Sequence, residues 1–159
     1  MRGKGFDLIA ASSIIHSMLS ILITAFREAG TVGRAIERFL PQLSPEAEIL
    51  VASPDPETIK VVDNYAACYP AVLHVADPQR GKPTAVNAGL KAARGETVVL
   101  SDGDVAVDEN ALAPLLAPFD DPQVGGGSGH PLSISPRDTL LGVLVASARR
   151  GDSPDEAGA

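Results

Sequence analysis

The sequence predicts an α/β fold: a mostly parallel sheet with helices on both faces. Three observations carry that expectation. Short, continuously apolar runs recur along the chain, as strands buried on both faces require. Amphipathic helical patterns separate these runs, which is the signature of strand–helix–strand units. Polar clusters follow the runs directly, at the carboxyl ends of the strands, where such sheets gather their ligands.

The elements follow in order. Leu19-Ser20-Ile21-Leu22-Ile23-Thr24 reads as the first buried strand. Thr31 is expected to cap a helix that buries Val32, Ala35, Ile36, Phe39 and Leu40 and ends at Pro41. Glu48-Ile49-Leu50-Val51-Ala52 is a second strand, and Asp55-Pro56 starts a helix with Ile59, Val62 and Ala66 facing inward. Residues 71–75 form a third strand, and residues 83–94 a helix stopped by Gly95. Thr97-Val98-Val99-Leu100 is a fourth strand, running straight into Ser101-Asp102-Gly103-Asp104. Asn110 is expected to cap a helix through Leu112, Leu115 and Leu116, and a last helix is expected over residues 139–148, beyond the glycines of 124–129.

At 159 residues the chain suits one domain with a substantial core. Residues 1–17 read as a leader or an early-assigned start, 18–147 as the folded domain and 148–159 as a disordered tail. The apolar stretch from Phe6 to Phe26 invites a membrane-anchor reading, but polar residues interrupt it and its best part is short and β-branched. The net charge of −7 and pI near 4.8 argue against nucleic acid as a partner, since such a surface needs a basic stripe. Cys68 stands alone, which excludes an intramolecular disulfide and a cysteine zinc site and fits a reducing, cytoplasmic compartment.

Asp102-Gly103-Asp104 is the motif with chemical content. Two carboxylates one residue apart at a strand end can face one cleft, and the glycine between them lets the backbone turn sharply. They offer hard oxygen ligands to Mg²⁺ or Mn²⁺, which favour carboxylates together with substrate phosphates. A P-loop is excluded, because Ala76 and Pro83 stand where glycine and Ser or Thr are needed. Asp102-Gly103-Asp104-Val105 also loosely fits a phosphatase of the haloacid dehalogenase type, whose nucleophile normally ends the first strand of its domain.

The stretch from Arg80-Gly81-Lys82-Pro83-Thr84-Ala85-Val86-Asn87-Ala88-Gly89 through Asp104 resembles family 2 glycosyltransferases of the GT-A fold. These show Gly-Lys, then Asn-x-Gly on a helix, a turn, a strand and D-x-D in this order, and the resemblance covers about residues 19–135. It implies a Rossmann-like nucleotide-sugar-binding domain over 18–147, with Asp102 and Asp104 holding Mg²⁺ or Mn²⁺ and Asp102 also meeting the nucleotide. Ile23-Thr24-Ala25-Phe26-Arg27-Glu28 resembles the family's first strand end, so Phe26 and Glu28 are implied at the nucleobase pocket; Thr24 and Arg27 depart from the pattern. Asp55 is the implied contact to base or ribose, Lys82 lies near the diphosphate, and Asn87 braces the loop or meets the nucleotide.

The implied partners are a UDP- or GDP-sugar and a glycan or lipid-phosphate acceptor, with peripheral association at the inner membrane face. Inverting members place an acceptor-activating carboxylate well after D-x-D. Here Asp138 is a poor candidate, Asp155-Glu156 falls in the tail, and the later Q-x-x-R-W element is missing. The catalytic base is therefore unassigned, and the chain reads as lacking the acceptor half. A non-catalytic nucleotide-sugar-binding or partner domain is the alternative from another class.

Overall fold

The computed structural model describes residues 18–130. The chain divides into two compact units, Met1–Gly127 and Ser128–Ala159, and only residues 128–130 of the second are described. The leader, the tail, the expected helix over 139–148 and Asp138 lie outside the described residues.

Four strands form one sheet in the order β3-β2-β1-β4: β1 (Leu19–Thr24), β2 (Glu48–Ser53), β3 (Val72–Ala76) and β4 (Thr97–Asp102). Every pairing is parallel. The helices between them are α1 (Val32–Phe39), α2 (Pro56–Cys68) and α3 (Lys82–Ala92), followed by the short α4 (Leu112–Leu116). The side chains alternate across the sheet, as the two-residue period of a strand dictates. Ile21, Ile23, Ile49 and Val51 meet Val32, Ile36 and Phe39 of α1 and Val62 of α2 on one face. Leu22, Leu50 and Ala52 meet Ala85 of α3 on the other. The expected α/β sheet, covered on both faces, is what forms.

Several local expectations shift. β4 continues to Asp102, so this carboxylate ends a strand instead of lying in the turn beyond it. β4 is also an edge strand, which leaves Leu100 59% exposed. In α2 the buried positions are Thr58 and Val62, because the helix turns Thr58 toward the Glu28 backbone. Thr31 makes no side-chain cap to α1; its hydroxyl donates instead to the Glu28 carbonyl at 3.3 Å. Ala111, not Asn110, precedes α4.

Gly95 does not terminate α3, which gives way at Ala93. Its role is contact: a Cβ there would lie 2.5 Å from the Ser20 amide nitrogen and 2.6 Å from the Met18 carbonyl oxygen. No side chain fits between the α3–β4 turn and the backbone entering β1.

That turn is fastened by Glu48, a fully buried carboxylate that hydropathy alone does not single out. Oε1 accepts from the Ser20 hydroxyl at 2.7 Å and the Arg94 amide at 2.8 Å. Oε2 accepts from Arg94 Nε and Nη2, both at 2.8 Å. The Gly95 amide completes the cluster by donating to Ser20 Oγ at 2.9 Å. Burial by itself would raise the Glu48 pKa; the bonds from Ser20 and Arg94 outweigh it and hold the carboxyl below its ordinary value.

A lowered pKa makes this a contribution that is complete above the unfolded carboxylate pKa, about 4.3. It is lost as pH falls through the folded value. Arg94→Ala is expected to reduce stability at pH 7 by about 2–3 kcal/mol, since it strips charge-assisted bonds from a buried carboxylate. Urea denaturation between pH 3 and 7 checks this, and the loss in the variant should shrink toward the acid end.

Candidate functional site

The carboxyl ends of β1, β2 and β4 open into a cleft of about 480 Å³. Thr24, Phe26, Glu28, Pro54, Asp77, Gln79, Lys82, Asp102 and Asp104 contribute to its walls. Its position follows from register, because Thr24 is the Cα partner of both Ala52 and Asp102. Strand ends level with one another place their outgoing loops around one space.

Asp102 is the focus of one side. Its Oδ1 accepts from the Thr24 hydroxyl at 3.0 Å and pairs with Lys82 Nζ at 2.5 Å. Lys82 reaches it from the first turn of α3, so the Gly81-Lys82 and D-x-D segments meet in space as their sequence order suggested. Asp104 also lines the cleft and is exposed.

Gly103 lies buried between the two acids, and its amide donates to the Thr24 carbonyl at 3.0 Å, extending the β1–β4 ladder. A Cβ on Gly103 would lie 2.3 Å from Glu28 Oε2 and 2.8 Å from the Ala25 Cβ. The glycine is thus required by close approach, whereas the sequence argued for it through turning freedom.

Glu28 stands behind the acid pair. Its Oε2 is buried and has no hydrogen-bond partner among the described residues. Burial raises its pKa first, and the charges of Asp104 and then Asp102 raise it further, against an opposing pull from Lys82. Phe26 is 62% exposed at the rim, with the Arg27 guanidinium 5.1 Å from its ring centroid. A core role for Phe26 does not arise.

Asp55 is placed differently from its implied role. Oδ2 accepts from the Arg27 amide at 2.8 Å and the Ser53 hydroxyl at 3.1 Å, while Oδ1 accepts from the Thr58 amide at 3.0 Å as the N-cap of α2. Burial would raise its pKa, but these bonds and one from the Thr58 side chain hold it down. Arg27 takes a φ of 58°, a left-handed conformation stabilised by that amide bond. Asp55 is absent from the cleft wall, as is Asn87, which is exposed on α3.

Asp77 and Gln79, in the β3–α3 connection, line the cleft without having been singled out from sequence. Asp77 Oδ1 accepts from the Gln79 amide at 2.9 Å, and Gln79 Nε2 donates to the Pro54 carbonyl at 3.4 Å. Their place directly after a buried strand was the available signal.

Among the described residues no group of three or more His, Cys, Asp or Glu side chains is arranged to hold a metal. Asp102 and Asp104 supply two carboxylates, the share a protein usually gives Mg²⁺ when substrate phosphates complete the coordination. The donor set fits an ion shared with a ligand and does not fit an all-protein cage. The phosphatase alternative fits less well, since Asp102 ends the fourth strand and not the first.

The sequence profile of glycosyl transferase family 2 matches residues 20–141. The chain belongs to this family. It is 26% identical over 129 residues to poly-beta-1,6-N-acetyl-D-glucosamine synthase of Staphylococcus epidermidis, covering 79% of this chain and 31% of that protein. It is 30% identical over 115 residues to glycosyltransferase AglD of Haloferax volcanii, covering 67% of this chain and 18% of the relative. The chain therefore spans less than a third of the length of these curated relatives.

In fold it is similar to M. tuberculosis glucosyl-3-phosphoglycerate synthase, with a TM-score of 0.54 and 22% identity over 69% of this chain and 43% of that one. S. aureus TarS gives a TM-score of 0.54 and 18% identity over 77% of this chain and 24% of the other. The α/β fold of this chain, a GT-A fold, is the one it shares with these structures.

Gly103→Ala is expected to destabilise the protein by about 1–3 kcal/mol, as overpacking against a buried group does. Glu28→Ala in the same chain should recover part of that loss by removing the nearer obstacle. Urea midpoints of the two single variants and the double variant check the coupling.

Proposed function

We propose that this family 2 glycosyltransferase domain binds a nucleoside diphosphate sugar in the cleft, jointly with Mg²⁺ or Mn²⁺ at Asp102 and Asp104. One observation carries the reading: the charged groups lining the cleft are Glu28, Asp77, Asp102 and Asp104 against Lys82. Four carboxylates facing one ammonium would repel a diphosphate. A divalent cation reverses that sign, and the carboxylate pair at the end of β4 is the place for it. When bound, the ion would supply Lewis-acid stabilisation to the departing diphosphate.

The chain's own residues have distinct tasks in this reading. Thr24 and Lys82 fix the Asp102 carboxylate through Oδ1 and leave Oδ2 for a ligand. Lys82 also brings a cation to the phosphate side of the cleft, where charge accumulates as the sugar–phosphate bond breaks. Phe26, at the rim, offers an apolar ring face to base or sugar. The acceptor is a glycan or lipid-phosphate hydroxyl group, and its activating base is not among the residues assigned to the cleft.

Calorimetric titration of the chain with UDP, GDP and their sugars, with and without Mn²⁺, tests the reading. Binding is expected to need the ion, and Asp102→Asn or Asp104→Asn is expected to weaken it at least about tenfold, the equivalent of about 1.4 kcal/mol. Nucleotide binding that is indifferent to Mn²⁺ and to both substitutions would overturn it.

A further inference from the structure

Asp55, the acid implied at the nucleobase, is absent from the cleft wall, and both of its oxygens are engaged by the protein. A carboxylate offers about four lone-pair positions. The Arg27 amide, the Ser53 hydroxyl and the Thr58 amide take three of them. If the cleft holds a nucleotide, another group must meet the base.

The strand order says where to look. Asp102 ends β4 at one edge of the sheet, and Asp77 follows the last residue of β3 at the other. Three interstrand spacings, about 14 Å, separate these edges. A nucleoside diphosphate held by its phosphates at Asp102, Asp104 and Lys82 would extend its base along the cleft toward Ala52, Pro54 and Asp77, all of which line it. Asp77 is half-buried there, and the Gln79 amide on Oδ1 fixes the plane of its carboxylate. Gln79 takes a φ of 60° and ties this turn to the Pro54 carbonyl.

We propose that Asp77 sets the nucleobase preference of the cleft, by accepting from a ring N–H edge of the bound base. The inference rests on the nucleoside diphosphate reading above. An ionised carboxylate accepts and cannot donate. It matches the imide N–H of uracil and the adjacent N–H groups of guanine. Cytosine and adenine present a bare acceptor nitrogen at the corresponding ring position, which a carboxylate repels. A site built around a hydrogen bond rejects a ligand lacking it far more strongly than an apolar pocket does. UDP- and GDP-type donors are therefore favoured over CDP- and ADP-type donors, and the discrimination originates at the β3 end of the cleft.

Titration of the full chain with UDP, GDP, CDP and ADP in the presence of Mn²⁺ tests the assignment. Wild type is expected to bind UDP or GDP at least about tenfold tighter than CDP and ADP, in line with one lost directional contact. Asp77→Asn, whose amide both donates and accepts, should bring that ratio to within about threefold while keeping the Mn²⁺ dependence. Asp77→Ala should weaken UDP and GDP without a comparable loss for CDP and ADP. Wild-type affinities within threefold of one another, or a ratio unchanged in both variants, would overturn the role of Asp77 alone. Failure of all four nucleotides to bind wild type would instead remove the nucleotide reading, and this inference with it.

Discussion

The register of β1 is the constraint from which the cleft follows. β1 is paired in parallel on both sides, with β2 and with β4, so its alignment fixes three strand ends at once. A slip of one residue would exchange the two faces and bring Ile21 and Ile23 out of the α1–α2 core. The polar lock on that alignment sits at the opposite end of the strands. Ser20 and Glu48 are Cα partners across β1 and β2, and their side chains are hydrogen-bonded in the interior. Arg94 and Gly95 then bind the start of β4 to the same pair. Glu48 and Asp102 thus serve one geometry from opposite ends of the sheet, the first by locking register and the second by exploiting it.

The carboxylates of this domain are divided by what their oxygens already hold. Glu48 accepts from four protein donors and Asp55 from three, and both are held below the ordinary carboxylate value for that reason. Asp102 is partly engaged, with Thr24 and Lys82 on a single oxygen. Glu28 keeps a buried oxygen without a partner among the described residues, next to two further negative charges, and its pKa moves the other way. Filled carboxylates hold the scaffold together, whereas partly filled ones have capacity to receive a ligand. This distinction rests on hydrogen-bond counting and is invisible in residue type.

The sequence made the strands legible because each is a short, largely apolar run containing β-branched residues and bounded by turn formers. It also made the meeting of Lys82 with Asp102 legible, since both lie in one continuous block whose ends the fold brings into contact. Asp55 was harder. An acid after a buried strand and before Pro56 suits a ligand contact and an N-cap equally well in one dimension. Only the positions of Arg27 and Thr58 decide for the cap. In one dimension Glu48 is only the polar start of a strand, because nothing local reveals that Arg94, far along the chain, arrives beside it. Gly95 was read as a helix stop for the same reason: its real neighbour is the β1 backbone, a long-range contact.

The departure of the first strand end from its family pattern has a physical meaning in this light. Arg27 occupies a left-handed position, which suits Asn better than Arg. The strain is offset because its amide is turned directly onto Asp55, whose charge strengthens the bond. Asp55 therefore holds the Phe26–Glu28 turn in place as well as capping α2. It influences the cleft through the backbone it positions, while Asp77 and Gln79 line the wall beside β3.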